Sequence, residues 1–314
     1  MAKDVVFSVA VPVYNEIGSL PELHRRVNAT MEQIDEPWEL LLIDDGSSDG
    51  STDWILAKAE EDTHVKPVIF ARNFGHQVAV TAGLDYARGQ AVVIMDADLQ
   101  DPPEVIADLV DMWREGYEVV YAVRAEREGE TWFKKFTAAL FYRLINRITD
   151  VDIPVDTGDF RLMDRKVVEV LSDMRERHRF PRAMVAWVGF RQIGVPYKRA
   201  ARYAGETKYP FQKMLRLALN AITGFSYFPL QIATYLGFFS AGLSILAIPI
   251  VIALRLMGSQ AFFGQASTLI AVLFLGGVQL ISLGILGEYI GRIYDEAKGR
   301  PLYIVREAPD TNEE

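Results

Sequence analysis

Four runs of valine, isoleucine and leucine punctuate the first hundred residues: VVFSVAVPVY from Val5, WELLLIDD from Trp38, VKPVIFA from Val65 and AVVIMDA from Ala91. Between them, apolar residues recur at helical spacing over 19–33, 52–61 and 76–87. The runs are continuous rather than alternating, as expected of strands covered on both faces. The pattern predicts a doubly wound α/β unit with a mainly parallel, Rossmann-like sheet. YEVVYAV, from Tyr117, reads as a further strand.

The pattern changes after residue 210. No charged residue occurs from Leu217 to Leu254 or from Leu256 to Gly287. Two transmembrane helices fit, Ile232–Leu254 and Ser267–Gly287, each near the ~20 residues that cross a bilayer. Ahead of them, FQKMLRLALNAITGFSYFPLQ mixes aromatic and basic residues and suits a helix lying in the membrane interface. The expected organisation is a catalytic domain over 1–210, an amphipathic juxtamembrane helix over 211–230, two transmembrane helices with a short external loop over 231–292 and a tail over 293–314.

Basic residues flank the spans: Lys208, Lys213 and Arg216 before the first, Arg292, Lys298 and Arg300 after the second, none in the loop MGSQAFFGQAS. The positive-inside rule then places the catalytic domain and both termini in the cytoplasm, in a multi-pass protein of the cell membrane. Gly277, Gly284, Gly287 and Gly291 fall near one helical face, which suits close helix packing, within the chain or between copies. With few internal partners for a two-span protein, a homo-oligomer held by the transmembrane and juxtamembrane helices is expected.

Composition adds three constraints. Cysteine is absent, which rules out disulfides and thiolate metal sites. The start, MAKDVVFSVAVPVYNE, is a poor signal peptide. The net charge of −9 conceals an asymmetry: 8 Lys+Arg face 23 Asp+Glu over 1–120, but 20 face 12 over 121–216. Such blocks are either solvated helix faces or, beside a membrane segment, a surface for phosphate head groups.

In doubly wound sheets ligands bind beyond the carboxyl ends of the strands. Those ends carry Pro12, Tyr14, Asn15 and Glu16, then Asp44, Asp45, Gly46 and Ser47, then Arg72 and Asn73, then Asp96 and Asp98. One acid alone could cap the next helix, whereas four strand ends agreeing point to a site. Neither G-x-G-x-x-G nor G-x-x-x-x-G-K-[ST] occurs, so a nucleotide would be held by acids and a metal. Asp96 and Asp98 are within reach of one hard cation completed by pyrophosphate oxygens. Asp101, just before Pro102 and Pro103, reads as a helix cap.

Taken in order, VAVPVYNE, LLIDDGSSDGS, RNFGHQVAVTAGLDYARG, MDADLQDPPE, DTGDFRLMDRK and RYAGETKYP resemble family 2 glycosyltransferases of the GT-A fold. More narrowly, the chain is similar to the polyprenyl-phosphate group, which includes dolichol-phosphate mannose synthases and bactoprenol glucosyltransferases. The ending GEYIGRIYDEAKGRPLYIV matches the bactoprenol type best. The resemblance implies that Asp96 faces the nucleotide ribose and Asp98 the Mg2+ or Mn2+. Pro12, Tyr14, Glu16 and Asp44 would bind uridine, and Arg202, Thr207 and Lys208 match the phosphate-side loop. Asp159 stands where the family carries its candidate base; base, metal neighbour and acceptor orienter all remain open for it. The Q-x-x-R-W motif of processive synthases is absent, which favours transfer of a single sugar.

The implied reaction is an inverting, metal-dependent transfer of one hexose, from UDP-glucose, to undecaprenyl phosphate. UDP-GlcNAc and GDP-mannose are alternative donors, and no nucleic-acid partner is expected. A phosphate monoester has a second pKa of about 6 and is mostly dianionic at neutral pH. The demand therefore shifts from removing a proton to bringing two anions together. Arg124 and Arg127 are expected at the acceptor phosphate, with Lys134 and Lys135 further along. Competing readings are a non-catalytic nucleotide-sugar binder, a processive synthase and a transporter; spans without intramembrane charge speak against the last.

Overall fold

The structure, a computed structural model, describes residues 5–125, 157–200, 226–257 and 265–309. These residues form two compact units, 5–125 with 157–200 and 300–309 in one, and 226–257 with 265–299 in the other.

The first unit is an eight-stranded sheet in the order β7-β5-β6-β4-β1-β2-β3-β8. Its centre is β1 (Phe7–Val13), hydrogen-bonded in parallel to β2 (Trp38–Asp44) and β4 (Ala91–Ile94). β3 (Val65–Phe70) continues the parallel set beyond β2. The mixture begins at β6 (Thr157–Asp164), antiparallel to both β4 and β5 (Val119–Arg124), while β7 (Gln192–Tyr197) runs parallel to β5. The sheet is thus mainly parallel, with four α/β strands as the pattern predicts.

Burial explains the pattern. Every β1 residue is buried, because helices cover both faces of the sheet. On α1 (Leu20–Ile34), Leu20, Leu23, Val27 and Met31 form one apolar stripe that enters the core with Phe7, Val9 and Leu40. Each such side chain contributes about 1.5–3 kcal/mol when taken out of water. α2 (Ser51–Glu61) and α3 (His76–Tyr86) follow β2 and β3 and match the helices expected over 52–61 and 76–87 closely, while α4 (Val105–Arg114), after β4, is a helix for which the pattern gives no range. α5 (Arg165–Asp173) and α6 (Pro181–Trp187) lie between β6 and β7. At the amino ends of the strands, the buried Glu39 accepts from Ser8 Oγ (2.6 Å) and from the Arg88 N–H (2.8 Å). That acid ties the α3–β4 turn to the sheet and leaves the chemistry to the opposite rim.

The last strand, β8 (Val305–Glu307), pairs antiparallel with β3. The segment expected as a tail from 293 therefore differs in its structure: its first residues extend the preceding helix and its later ones complete the sheet edge. An unpaired β3 edge would leave a row of backbone donors and acceptors exposed, and β8 occupies them.

The second unit contains α7 (Phe228–Leu256) and α8 (Gln265–Ala297), with candidate membrane spans over Phe228–Leu254 and Ile270–Ala297, each helix long and apolar enough to cross a bilayer. Their apolar side chains face outward; Phe238 is 73 % and Leu280 71 % exposed. α8 runs past the expected end at Gly287, because Glu288 and Arg292 pair at helical spacing (3.1 Å) and carry the helix beyond its apolar run. Residues 211–225 lie outside the described residues, and Phe228–Leu230 belong to the first turn of α7. Tyr289 donates to the Ser226 carbonyl (2.7 Å) within this unit. A Cβ added at Gly277, Gly284, Gly287 or Gly291 would meet nothing within 4 Å among the described residues.

Candidate active site

The loops at the carboxyl rim are tied to one another. The Asn15 N–H donates to Ser47 Oγ (2.9 Å), the Glu16 N–H to Ser51 Oγ (3.1 Å), and Asn15 Oδ1 accepts from the Ser48 N–H (2.8 Å). Asn15 adopts φ +56, a left-handed conformation asparagine tolerates. Pro12 ends inside β1, whereas Tyr14 stands 51 % exposed beside it, an aromatic face open to a ligand. Asp44 is fully buried and accepts from the Ser47 N–H (3.1 Å) and Thr52 Oγ1 (2.6 Å), so its carboxylate also shapes the β2–α2 turn.

Asp45 sets the next loop. Its carboxylate accepts from the Phe74 N–H (2.6 Å) and the Gly75 N–H (2.9 Å), and burial pushes its pKa up against those bonds. Gly75, at φ +105, turns the chain so that His76 becomes the first residue of α3. His76 Nε2 then lies 3.2 Å from Asp159 Oδ2 and 3.7 Å from Asp96 Oδ1. Asp159 is 6 % exposed and is held from another side by Arg182, Nε to Oδ1 at 2.7 Å and Nη2 to Oδ2 at 3.2 Å.

These contacts set the electrostatics. Burial disfavours the Asp159 carboxylate, yet the Arg182 charge and the His76 hydrogen bond outweigh it and hold the pKa well below the usual range. Burial lowers the His76 pKa, but Asp159 and Asp96 prevail and raise it to about 9. Asp96 moves the other way: burial, opposed by His76 and reinforced by the charges of Asp159, Asp101 and Asp98, pushes it up to about 6. Asp98 is buried and accepts from the Gln100 N–H (3.1 Å), in a loop where Leu99 takes φ +57.

Asp101 is not the helix cap that its prolines suggest. α4 begins at Val105, and Asp101, 1 % exposed, accepts from the Tyr197 hydroxyl and lies 3.8 Å from Arg199 Nε. Tyr197 is also within hydrogen-bonding reach of Arg124, whose buried Nε has no partner among the described residues. Gly158 lies beside Arg124 and Asp101, so adjacent residues of β6 connect this cluster to Asp159.

The rim thus gathers Tyr14, Glu16, Asp44, Asp96, Asp98 and Asp159 in one unit, with Arg124 at the end of β5. Arg127, Lys134, Lys135, Arg202, Thr207 and Lys208 lie outside the described residues. The pattern-based reading missed His76, Arg182 and Tyr197. His76 follows the third strand end and the rim rule could have found it; Arg182 opens a short helix and carries no local signal.

A divalent cation fits this rim in part. Among the described residues no cluster of three or more acidic or histidine ligands is assembled. Asp96 and Asp98 would supply two carboxylates at the end of β4, leaving a hard cation to complete its shell with phosphate oxygens and water, as Mg2+ ordinarily does. Burial first, and then the charges of Asp159, Asp101 and Asp98, raise the Asp96 pKa, and a cation held there would favour its charged form.

The family model described as glycosyl transferase family 2 matches residues 8–172. An uncharacterized glycosyltransferase of Bacillus subtilis (strain 168) is 51 % identical over 308 residues, 98 % of this chain and 95 % of that protein. The SfII prophage-derived bactoprenol glucosyl transferase of Shigella flexneri is 44 % identical over 301 residues, 96 % and 97 % of the two chains. Among solved structures, a mannosyltransferase of Pyrobaculum calidifontis in complex with GDP-Man and Mn2+ aligns with a TM-score of 0.45 at 18 % identity, over 92 % of this chain and 88 % of that one. With its match across β1 to α5 and its near-full-length relatives, the chain belongs to glycosyl transferase family 2 and has the GT-A fold.

Proposed function

We propose that this glycosyltransferase moves a single glucose from UDP-glucose to undecaprenyl phosphate, with inversion, at the cytoplasmic face of the membrane. The observation that carries the reading is the 44 % identity to a bactoprenol glucosyl transferase over 96 % of the chain. The rim supports it. Tyr14 would stack on the base, Glu16 and Asp44 would border the uridine, and Asp96 and Asp98 would hold Mg2+ or Mn2+. When bound, the cation would offset charge on the diphosphate leaving group. Arg124 would meet the acceptor phosphate, already anionic, so the protein's task is to position it in line with the anomeric carbon.

The outward apolar surfaces of α7 and α8 are stable in lipid and costly in water, which supports membrane insertion. β8 follows α8 yet pairs with β3, which precedes α7. A chain that leaves a sheet and rejoins it crosses a membrane an even number of times, so the pairing supports a two-span hairpin. Lys208, Lys213, Arg292 and Lys298 favour the cytoplasmic side for that sheet. The open glycine face of α8 is available to a second copy.

The test is to incubate purified protein, Mg2+ and undecaprenyl phosphate with UDP-glucose, UDP-GlcNAc and GDP-mannose, and to measure chloroform-extractable sugar. UDP-glucose should be consumed in preference; preference for another donor corrects the sugar, and every donor left intact overturns the enzyme reading.

A further inference from the structure

Asp159 is already crowded with donors. Its two oxygens accept from Arg182 Nε (2.7 Å), Arg182 Nη2 (3.2 Å) and His76 Nε2 (3.2 Å). A carboxylate offers about four lone-pair positions, so three occupied ones leave room to orient a ligand. Taking a proton there would cancel the negative charge to which Arg182 and His76 are bonded. The same His76 nitrogen stands 3.7 Å from Asp96 Oδ1. It therefore sits between a carboxylate at the end of β4 and one on β6, two anions that would otherwise repel each other.

The position of His76 is built in rather than incidental. Asp45 fastens the Phe74 and Gly75 N–H groups, and Gly75 turns at φ +105, so the imidazole leaves α3 at its first residue. Three strand ends thus converge on this residue: β4 through Asp96 and β6 through Asp159 at its ring, and β2 through Asp45 at the N–H groups just before it.

We propose that His76 is a positioning residue of the transfer site, bridging Asp96 and Asp159, and that with Arg182 it fixes Asp159 as an oriented acceptor of hydrogen bonds rather than as the base. The inference rests on the polyprenyl-phosphate reading above and explains how a site for an anionic acceptor dispenses with proton removal. Asp96 belongs to the donor side, and Asp159 to the sugar and acceptor side. His76 keeps the two in register.

The experiment compares wild type, His76→Ala and His76→Gln for turnover, UDP binding and thermal unfolding. A glutamine amide can replace the Nε2–H donor but cannot relay a proton as imidazole does. His76→Ala should lose about 100-fold in turnover, within the range that misplacing a reacting group costs. UDP affinity should stay within about threefold, well under the tenfold that 1.4 kcal/mol represents. His76→Gln should recover at least about tenfold of that loss. A folded His76→Gln as inactive as His76→Ala overturns the hydrogen-bonded bridge, since the donor is restored and turnover is not, and normal turnover in His76→Ala overturns any role. Unfolding of both variants at lower temperature with proportionate loss of UDP binding overturns it in favour of plain stability.

A double-mutant cycle of His76→Ala with Asp159→Ala, read by thermal unfolding, tests the bridge without turnover. Non-additive shifts are expected, since residues in contact couple, and additive ones overturn the contact. If wild type transfers no sugar, the proposed function fails while this cycle still decides the bridge.

Discussion

The Tyr303 ring stacks on Phe70, with centroids 5.1 Å apart and planes 14° from parallel, and its hydroxyl donates to Asp85 Oδ2 (2.7 Å). A residue that follows both apolar helices thus packs on the third strand of the catalytic sheet. Asp85 accepts from Arg175 as well (2.7 Å), so the contact closes a polar cluster against an apolar stack. Tyr303→Ala should lower stability of the catalytic unit by about 3 kcal/mol, the usual cost of deleting a packed aromatic side chain. Tyr303→Phe keeps the stack and should cost about 1 kcal/mol for the lost hydrogen bond. Thermal unfolding of the two variants checks the order; equal losses would mean the stack contributes nothing.

Gly46 turns at φ +70, and a Cβ there would lie 2.7 Å from Arg72 C and 2.7 Å from Asn73 N. Both obstacles are backbone and cannot swing aside. Gly46→Ala should push the β3–α3 loop away from the β2 end that fastens it through Asp45. A left-handed backbone alone costs about 1–2 kcal/mol for a residue with a Cβ. Turnover should fall more than UDP affinity, because the loop carries His76 to Asp159. Titration of UDP beside steady-state rates separates the two, and an unchanged rate would show that the loop absorbs the methyl group.

How far the fold could be read depends on what each strand buries. β1 to β4 are covered on both faces, so their apolar runs are continuous, and the helices after the first three follow at the expected positions. β6 is nearly as buried, but TGDFRLMD carries Asp159 and Arg161 inside, the first satisfied by the distant Arg182 and His76 and the second by the nearby Gly158 carbonyl, and its pattern therefore looks polar. β8 spans Val305–Glu307, too short for any periodicity. The rim acids were legible because strand ends share one edge. Arg182 was not, since its only link to Asp159 is tertiary. Asp101 misled for a local reason: the prolines after it resemble a helix start, but the buried Tyr197 hydroxyl takes its carboxylate instead.

Acid should weaken the α1–α2 contact at a specific residue. Burial raises the Asp62 pKa, but the His64 N–H (3.0 Å), His24 Nε2 (2.8 Å) and Asn28 Nδ2 (3.1 Å) outweigh it and hold the carboxyl well below its usual range. A folded pKa below the unfolded one contributes stability that is complete above about pH 4 and is lost as the pH falls through the folded value. Wild type should therefore unfold at a higher temperature than Asp62→Asn at pH 7, and the gap should narrow steadily below about pH 4. A gap that stays constant to pH 2.5 or so would place the stabilisation elsewhere.

Asp159→Asn tests the carboxylate itself. The amide keeps one acceptor oxygen but turns an NH2 group toward the donors of Arg182 or His76. Turnover should fall by about 100-fold or more, as losing a positioned charged group commonly does. UDP binding should survive, because Tyr14 and Asp44 are untouched. Near-normal turnover would remove Asp159 from the site.

The acceptor side turns on Arg124, which ends β5 beside Gly158 and within reach of the Tyr197 hydroxyl, itself bonded to the buried Asp101. This relay gives a flexible cation a fixed direction. A hydrogen bond to a charged group contributes about 1.5–3 kcal/mol, so Arg124→Ala should raise KM for the lipid phosphate about 10- to 150-fold. KM for the nucleotide sugar should not move. Arg124→Lys retains the charge but not the planar fork, and should recover only part of the loss. Tyr197→Phe leaves the guanidinium in place without its guide, so its effect should be intermediate and confined to the same substrate. A shift in nucleotide-sugar KM instead would assign Arg124 to the donor, and the acceptor phosphate would then have to be met by other basic residues of 121–216.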